Sequence, residues 1–129
     1  PESRKFSSDQ IQKRQCDFTL AFSKLVTKAI CLGYEVKVAE WNRLLVTQKD
    51  YVARGVSWTL DSRHLDNLAV DMYLFKDGVI ALGGPLYRPL GEYWESLGGR
   101  WGGRFGLKPD EYSVEIGKDP VHFEFTKPT

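Results

Sequence analysis

Leu68-Ala69-Val70-Asp71-Met72-Tyr73-Leu74-Phe75, followed by Lys76-Asp77-Gly78 and Val79-Ile80-Ala81-Leu82, is the stretch on which the fold turns. An apolar run, an Asp-Gly turn signal and a second apolar run predict a β-hairpin. The run holds one acid, Asp71. An ionised carboxylate in an apolar strand is costly without a cation or donors beside it, so something must pair with Asp71.

Upstream, Glu35 to Trp41 alternates polar and apolar residues, the pattern of a half-buried strand. Before it, from about Ser8 to Leu32, Ile11, Phe18, Phe22, Leu25, Val26 and Ala29 recur at helical steps. Ser7, Ser8 and Asp9 offer capping oxygens at the start of that helix, and Gly33 stands just past its end. Val46 to Arg54 reads as a short helix closed by Gly55, and Val56 to Arg63 as an ordered loop with Trp58 as an anchor. Downstream, Pro89 to Leu97 suits a further helix. The glycine-dense run Gly98 to Gly106 breaks all periodicity and reads as loop, with backbone free to approach something closely. Val121 to Phe125 closes the chain as a short strand. The sum is an α+β chain read as one domain over residues 1–129, a small antiparallel sheet with flanking helices.

The composition narrows the class of partner. Apolar residues make up 42% and charged residues 27% of the 129, the balance of a globular protein. With 18 Lys and Arg against 17 Asp and Glu, a net charge of +1 supplies no global field for nucleic acid or anionic membrane. No segment approaches the roughly 20 apolar residues of a membrane span, and PESRKFSSDQ lacks the apolar centre of a signal peptide. Synthesis in the cytoplasm as a monomer is the expectation. Cys16 and Cys31 fall within one helix, roughly 22 Å apart along its axis, too far for a disulfide. They read as two buried, reduced thiols.

The chemistry concentrates on the two histidines, His64 and His122, each near acids. His64 precedes the strand that carries Asp71, and His122 lies on the closing strand. Two imidazoles and one carboxylate that leave a position open form the ligand set of a catalytic zinc, whereas a structural zinc normally takes four protein ligands. A histidine on a strand is also commonly a hydrogen-bonded structural residue, and spacing alone does not bring these three together.

The segment Ser62-Arg63-His64-Leu65-Asp66-Asn67-Leu68-Ala69-Val70-Asp71 resembles the Ser-x-His-x-x-Gly-x-Ala-x-Asp signature of one peptidase family. Asp119-Pro120-Val121-His122 is similar to its second signature, an acid three residues before the last zinc-binding histidine. That family comprises D-alanyl-D-alanine carboxypeptidases and dipeptidases, with the L-alanyl-D-glutamate endopeptidases found as phage endolysins. Arg43 followed by Gln48, Gly55 with Ser57, and Trp101-Gly102-Gly103 resemble further family positions, so the likeness spans about Glu35 to Phe125. Asn67 stands where the family usually has Gly, and Asn tolerates the left-handed backbone next best. Arg104 stands where an acid is common after Trp-Gly-Gly.

The resemblance implies a hedgehog/DD-peptidase-like fold and Zn²⁺ held by His64, Asp71 and His122. It implies Asp119 as general base toward the attacking water and Arg43 as the cation meeting the oxyanion or a substrate carboxylate. Gln48, Ser57, Ser62 and Trp101 would bind substrate or support the site, with Ser62 orienting the His64 loop. Read without the family, a solvated loop cation is the lesser alternative for Arg43, a turn residue is an equal one for Asp119, and Trp101 and Phe105 can be core cover. The implied substrate is a peptidoglycan stem peptide, with the L-alanyl-D-glutamate bond favoured over D-alanyl-D-alanine and an endolysin released to the wall after synthesis. The rival readings are an inactive cell-wall-binding module of the same fold, which should lack a catalytic residue, and a different zinc hydrolase, which should show other ligand spacing.

Overall fold

A computed structural model of the chain describes residues 8–40 and 68–126. The expected helix over Val46 to Arg54 and the loop to Arg63 lie outside the described residues. The first helix, α1 (Ser8–Cys31), follows the periodicity closely. Phe18, Ala21, Phe22, Leu25 and Ala29 form its buried stripe. At Gly33 the helix ends, with the Tyr34 N–H donating back to the Ala29 carbonyl at 3.1 Å and the Gly33 N–H to that of Ile30 at 2.9 Å. This pair of bonds satisfies carbonyls that the last turn leaves open. Both cysteines are exposed and free, which corrects the expectation of buried thiols. Cys16 and Cys31 each stand two residues from a member of the buried stripe, about 200° around the helix, and so face outward.

The strands are β1 (Glu35–Glu40), β2 (Ala69–Lys76), β3 (Val79–Ile80), β4 (Arg100–Trp101) and β5 (His122–Glu124). They form one antiparallel sheet in the order β1-β2-β5-β4, with β3 also paired to β2. The β2–β3 hairpin turns at Asp77 and Gly78, both at positive φ (53° and 78°), as a two-residue turn that matches strand twist requires. Its second strand is shorter than the expected Val79 to Leu82, although the Ala81 N–H still donates to the Leu74 carbonyl at 2.8 Å.

Strand β2 divides the molecule by its two-residue alternation. Val70, Met72 and Leu74 are fully buried, while Asp71, Tyr73 and Phe75 point to the other face and are half-buried. On the core side the sheet meets α1 and the other α-helix among the described residues, α2 (Arg88–Ser96), which begins one residue before the expected Pro89. Trp94 of α2 is the centre of this layer. Its ring lies 5.6 Å from Phe18, 6.0 Å from Phe123 and 5.1 Å from Phe125, and its Nε1 donates to the Glu124 carbonyl at 3.0 Å. The contacts with Phe18 and Phe123 are edge-on and add to the burial itself. Arg14 of α1 donates from Nε to the Thr126 carbonyl at 3.0 Å and stacks over Phe125. The first helix and the last strand are therefore clamped together.

The glycine-dense segment is more ordered than the loop its sequence predicts. Arg100 and Trp101 form the edge strand β4, and Gly102–Arg104 make one 3₁₀ turn. A two-residue strand is too short to leave a periodic trace, and its order comes from neighbours distant in sequence.

Trp94→Ala should cost about 3–5 kcal/mol of folding stability, because it empties a large buried site and leaves the Glu124 carbonyl without its indole donor. Urea unfolding followed by far-ultraviolet circular dichroism measures this; a loss under about 1 kcal/mol would mean that Trp94 is not the centre of the packing.

Candidate metal centre

The site is built on the pairing of β2 with β5, in which Ala69 stands opposite Glu124, Val70 opposite Phe123 and Asp71 opposite His122. Alternation sends Val70 and Phe123 into the core and leaves Asp71, His122 and Glu124 on one other face. Facing side chains in such a pair have Cβ atoms about 5 Å apart, close enough for direct contact. His122 Nδ1 lies 3.0 Å from Asp71 Oδ1.

Asp119 reaches the same point through a turn. In Asp119-Pro120-Val121-His122 the proline holds the φ that the second turn position wants, and the His122 N–H donates to the Asp119 carbonyl at 3.1 Å. Asp119 Oδ2 thereby stands 3.9 Å from His122 Nδ1. The Asp119 side chain is 45% exposed, against 20% for Asp71 and 9% for His122.

The glycine segment carries this turn from behind. The Gly102 carbonyl accepts from the Asp119 N–H at 3.1 Å, and a Cβ on Gly102 would lie 2.1 Å from the Asp119 carbonyl oxygen. Gly103 accepts from the Gly117 N–H, and Phe105 accepts from Lys118. Only a residue without a side chain allows so close an approach. Trp101, 1% exposed, donates from Nε1 to the Pro120 carbonyl at 2.7 Å. It thus stands behind the Asp119 turn rather than at the surface. Phe105 lies against the His122 ring at 5.6 Å.

Arg104, which stands where the family resemblance leads one to expect an acid, turns away from the centre. It makes a two-pronged pair with Glu95 at 3.0 and 3.1 Å and donates to the Tyr112 carbonyl at 2.8 Å. Its guanidinium lies over the rings of Trp101 and Tyr112. It braces the glycine segment. A cavity of about 470 Å³ is bordered by Arg100, Arg104, Phe105 and Tyr112, and none of Asp71, Asp119 and His122 lines it.

Of the residues singled out in the sequence, Asp71, Asp119 and His122 converge. Each offers one ligand atom, and these atoms all lie within 4.8 Å of one another. His64, Arg43, Gln48, Ser57 and Ser62 lie outside the described residues. Sequence reasoning missed Glu124, whose Oε1 stands 2.7 Å from His122 Nε2. The signal was available, because an acid two residues after a strand histidine shares its face.

A cation suits this donor set. A neutral His122 ring with its proton on Nε2 turns a lone pair toward two carboxylates, and acceptors so placed need a positive charge between them. Without a metal ion, a proton can supply it. Burial pulls the imidazolium down, but the hydrogen bonds with Asp71 and Glu124 and the charges of both outweigh it, and His122 is pushed up to about 9. A metal ion held at His122 Nδ1 would take that proton's place.

No protein-family model matches the sequence, and no curated protein matches it. Solved structures do match the fold. The L-Ala D-Glu endopeptidase ChiX of Serratia marcescens superposes with a TM-score of 0.62 over 94% of this chain and 89% of its own, at 23% identity. The vancomycin-resistance D,D-pentapeptidase VanY of a VanB-type cassette, in complex with Zn(II), gives 0.53 over 84% of this chain and 70% of its own, at 22% identity. VanYB in complex with D-alanine-D-alanine gives 0.54 over 84% and 68%, at 20% identity. The chain thus has the α+β fold of these peptidases, one of which holds zinc, and carries in it a group of side chains able to hold a metal ion. Among the described residues no helix is long and apolar enough to cross a membrane.

The raised proton affinity of His122 sets the pH dependence. In the metal-free protein, stability from the bound proton is fully present below the ordinary value of 6.5 and is lost as pH rises through about 9. Zinc competes with this proton, so its apparent affinity should rise by about tenfold per pH unit up to about 9 and level off above. Competition titration against a chelator of known pH behaviour measures this. An affinity independent of pH between 7 and 9 would show that no proton leaves the site on binding.

Proposed function

We propose that this chain is one zinc-dependent peptidase domain that cleaves peptidoglycan stem peptides at the L-alanyl-D-glutamate bond. The observation that carries the reading is the convergence of Asp71, Asp119 and His122 on a fold shared with ChiX and VanY. The choice of bond is supported by ChiX, named for that cleavage, which superposes over 89% of its own length. D-alanyl-D-alanine cleavage is the second reading, supported by the VanYB complex with that dipeptide. The endolysin type rests on the resemblance of Trp101-Gly102-Gly103 to the family segment, and implies release from the cytoplasm to reach the wall.

In this reading His64, Asp71 and His122 hold the metal, with His64 assigned by its motif. Zinc bound there would supply an acidified water and a polarised scissile carbonyl. Asp119 accepts the proton of that water and returns it to the leaving amine. Its disposition favours this over ligation: it stands 0.9 Å farther from His122 Nδ1 than Asp71 does (3.9 against 3.0 Å) and is the more exposed of the two. Asp71, fixed opposite His122 by the sheet, keeps the two donors in register. Arg43 binds the oxyanion or a substrate carboxylate, and Gln48, Ser57 and Ser62 support substrate and the His64 loop, each by motif.

Mass spectrometry of muropeptides after digestion tests the bond. New N-terminal D-glutamate is the expected product; loss of terminal D-alanine alone would move the assignment to the carboxypeptidase reading, and no product would contradict both. Asp119→Asn should retain zinc and lose at least about a hundredfold in rate, whereas normal digestion by that variant would place the base elsewhere.

A further inference from the structure

Glu124 is a buried acid to which the mechanism above gives no task. It lies two residues after His122 on β5, a strand paired on both sides, with Ala69 of β2 and Arg100 of β4 both opposite Glu124. Trp94 Nε1 donates to its carbonyl, so its backbone is held from the core side as well. The side chain is 9% exposed. Its Oε1 stands 2.7 Å from His122 Nε2, and its Oε2 stands 3.4 Å from Arg100 Nη1.

Burying an ionised carboxylate is costly unless charge and hydrogen bonds compensate, and here the imidazole and the guanidinium provide them. Arg100 itself is 56% exposed. The shorter and more buried contact is the one to His122. A carboxylate can only accept, so the contact requires the proton of His122 on Nε2. The ring then presents Nδ1 as a lone pair on the side of Asp71 and Asp119. Backbone pairing fixes the Cα positions of the two residues, and the Glu124 contact fixes the ring's rotation.

We propose that Glu124 is the positioning residue of the metal centre, holding His122 in the tautomer and orientation whose Nδ1 binds zinc. The inference rests on the zinc reading above and adds a residue to it. A carboxylate on the far nitrogen of a ligating histidine raises the ligand's basicity and saves it the loss of ring freedom on binding, an effect that typically amounts to 10- to 100-fold in metal affinity. Glu124 touches neither substrate nor metal in this role, and Arg100 screens it from the solvent side.

Two measurements test the role without reference to any substrate. In the zinc-loaded protein with ¹⁵N-labelled histidine, long-range ¹H–¹⁵N spectra should show His122 protonated at Nε2 and metal-bound at Nδ1; metal on Nε2 overturns the proposal. In competition titrations, Glu124→Gln should bind zinc about 10- to 100-fold more weakly, with Glu124→Asp in between, since it keeps the charge but withdraws it by one methylene. Affinity of the Gln variant within about twofold of the unaltered protein overturns the role while leaving the zinc site standing. Failure of the unaltered protein to bind zinc overturns both. Should the Gln variant not fold, the spectra of the unaltered protein decide alone.

Discussion

The closeness of Asp71 and His122 is the constraint around which the rest of the site is arranged. They come from strands 51 residues apart in sequence and meet at 3.0 Å because the sheet places them directly opposite. With Asp119 and Glu124 added, three carboxylates surround one imidazole that is almost wholly buried. Positive charge among them, whether a proton or a metal ion, stabilises such a cluster. The proposed chemistry places a cation there.

The same strand that makes the site makes the core. Val70, Met72 and Leu74 alternate with Asp71, Tyr73 and Phe75, so the packing that buries one set holds the other in place. Trp94 secures β5 through an indole hydrogen bond to the residue that also touches His122. Trp101, Gly102 and Gly103 secure the Asp119 turn from the opposite direction. Interiors packed at crystal density transmit small displacements, which gives the residues behind the centre a part in its geometry without any contact with the ion.

Elements whose pattern is local were legible in the sequence. The stripe of α1, the Asp77-Gly78 hairpin and the demand of Asp71 for a partner are legible, because a helix face, a turn and a lone acid in an apolar run each leave a trace within a few residues. The Cys16 and Cys31 environments are not, since the apolar character of a thiol does not bury it at a position off the helix stripe. The sequence of the edge strand β4 reads as loop, because two residues carry no period and its order comes from β5. Glu124 went unread although the logic applied to Asp71 covers it, an acid among Phe123 and Phe125 on a buried strand. The register that unites Asp71 with His122 is a property of long-range pairing and has no local signature; only the likeness of two separated motifs to one family pointed to it.

The most direct measurement is a crystal structure of the zinc-loaded protein with diffraction collected on both sides of the zinc absorption edge. The anomalous peak is expected about 2.0–2.2 Å from His122 Nδ1 and from an Asp71 carboxylate oxygen, with His64 completing the protein ligands and Asp119 outside bonding distance. A peak away from His122 and Asp71, or no ordered zinc at all, would contradict the claim that this strand pair is a metal centre.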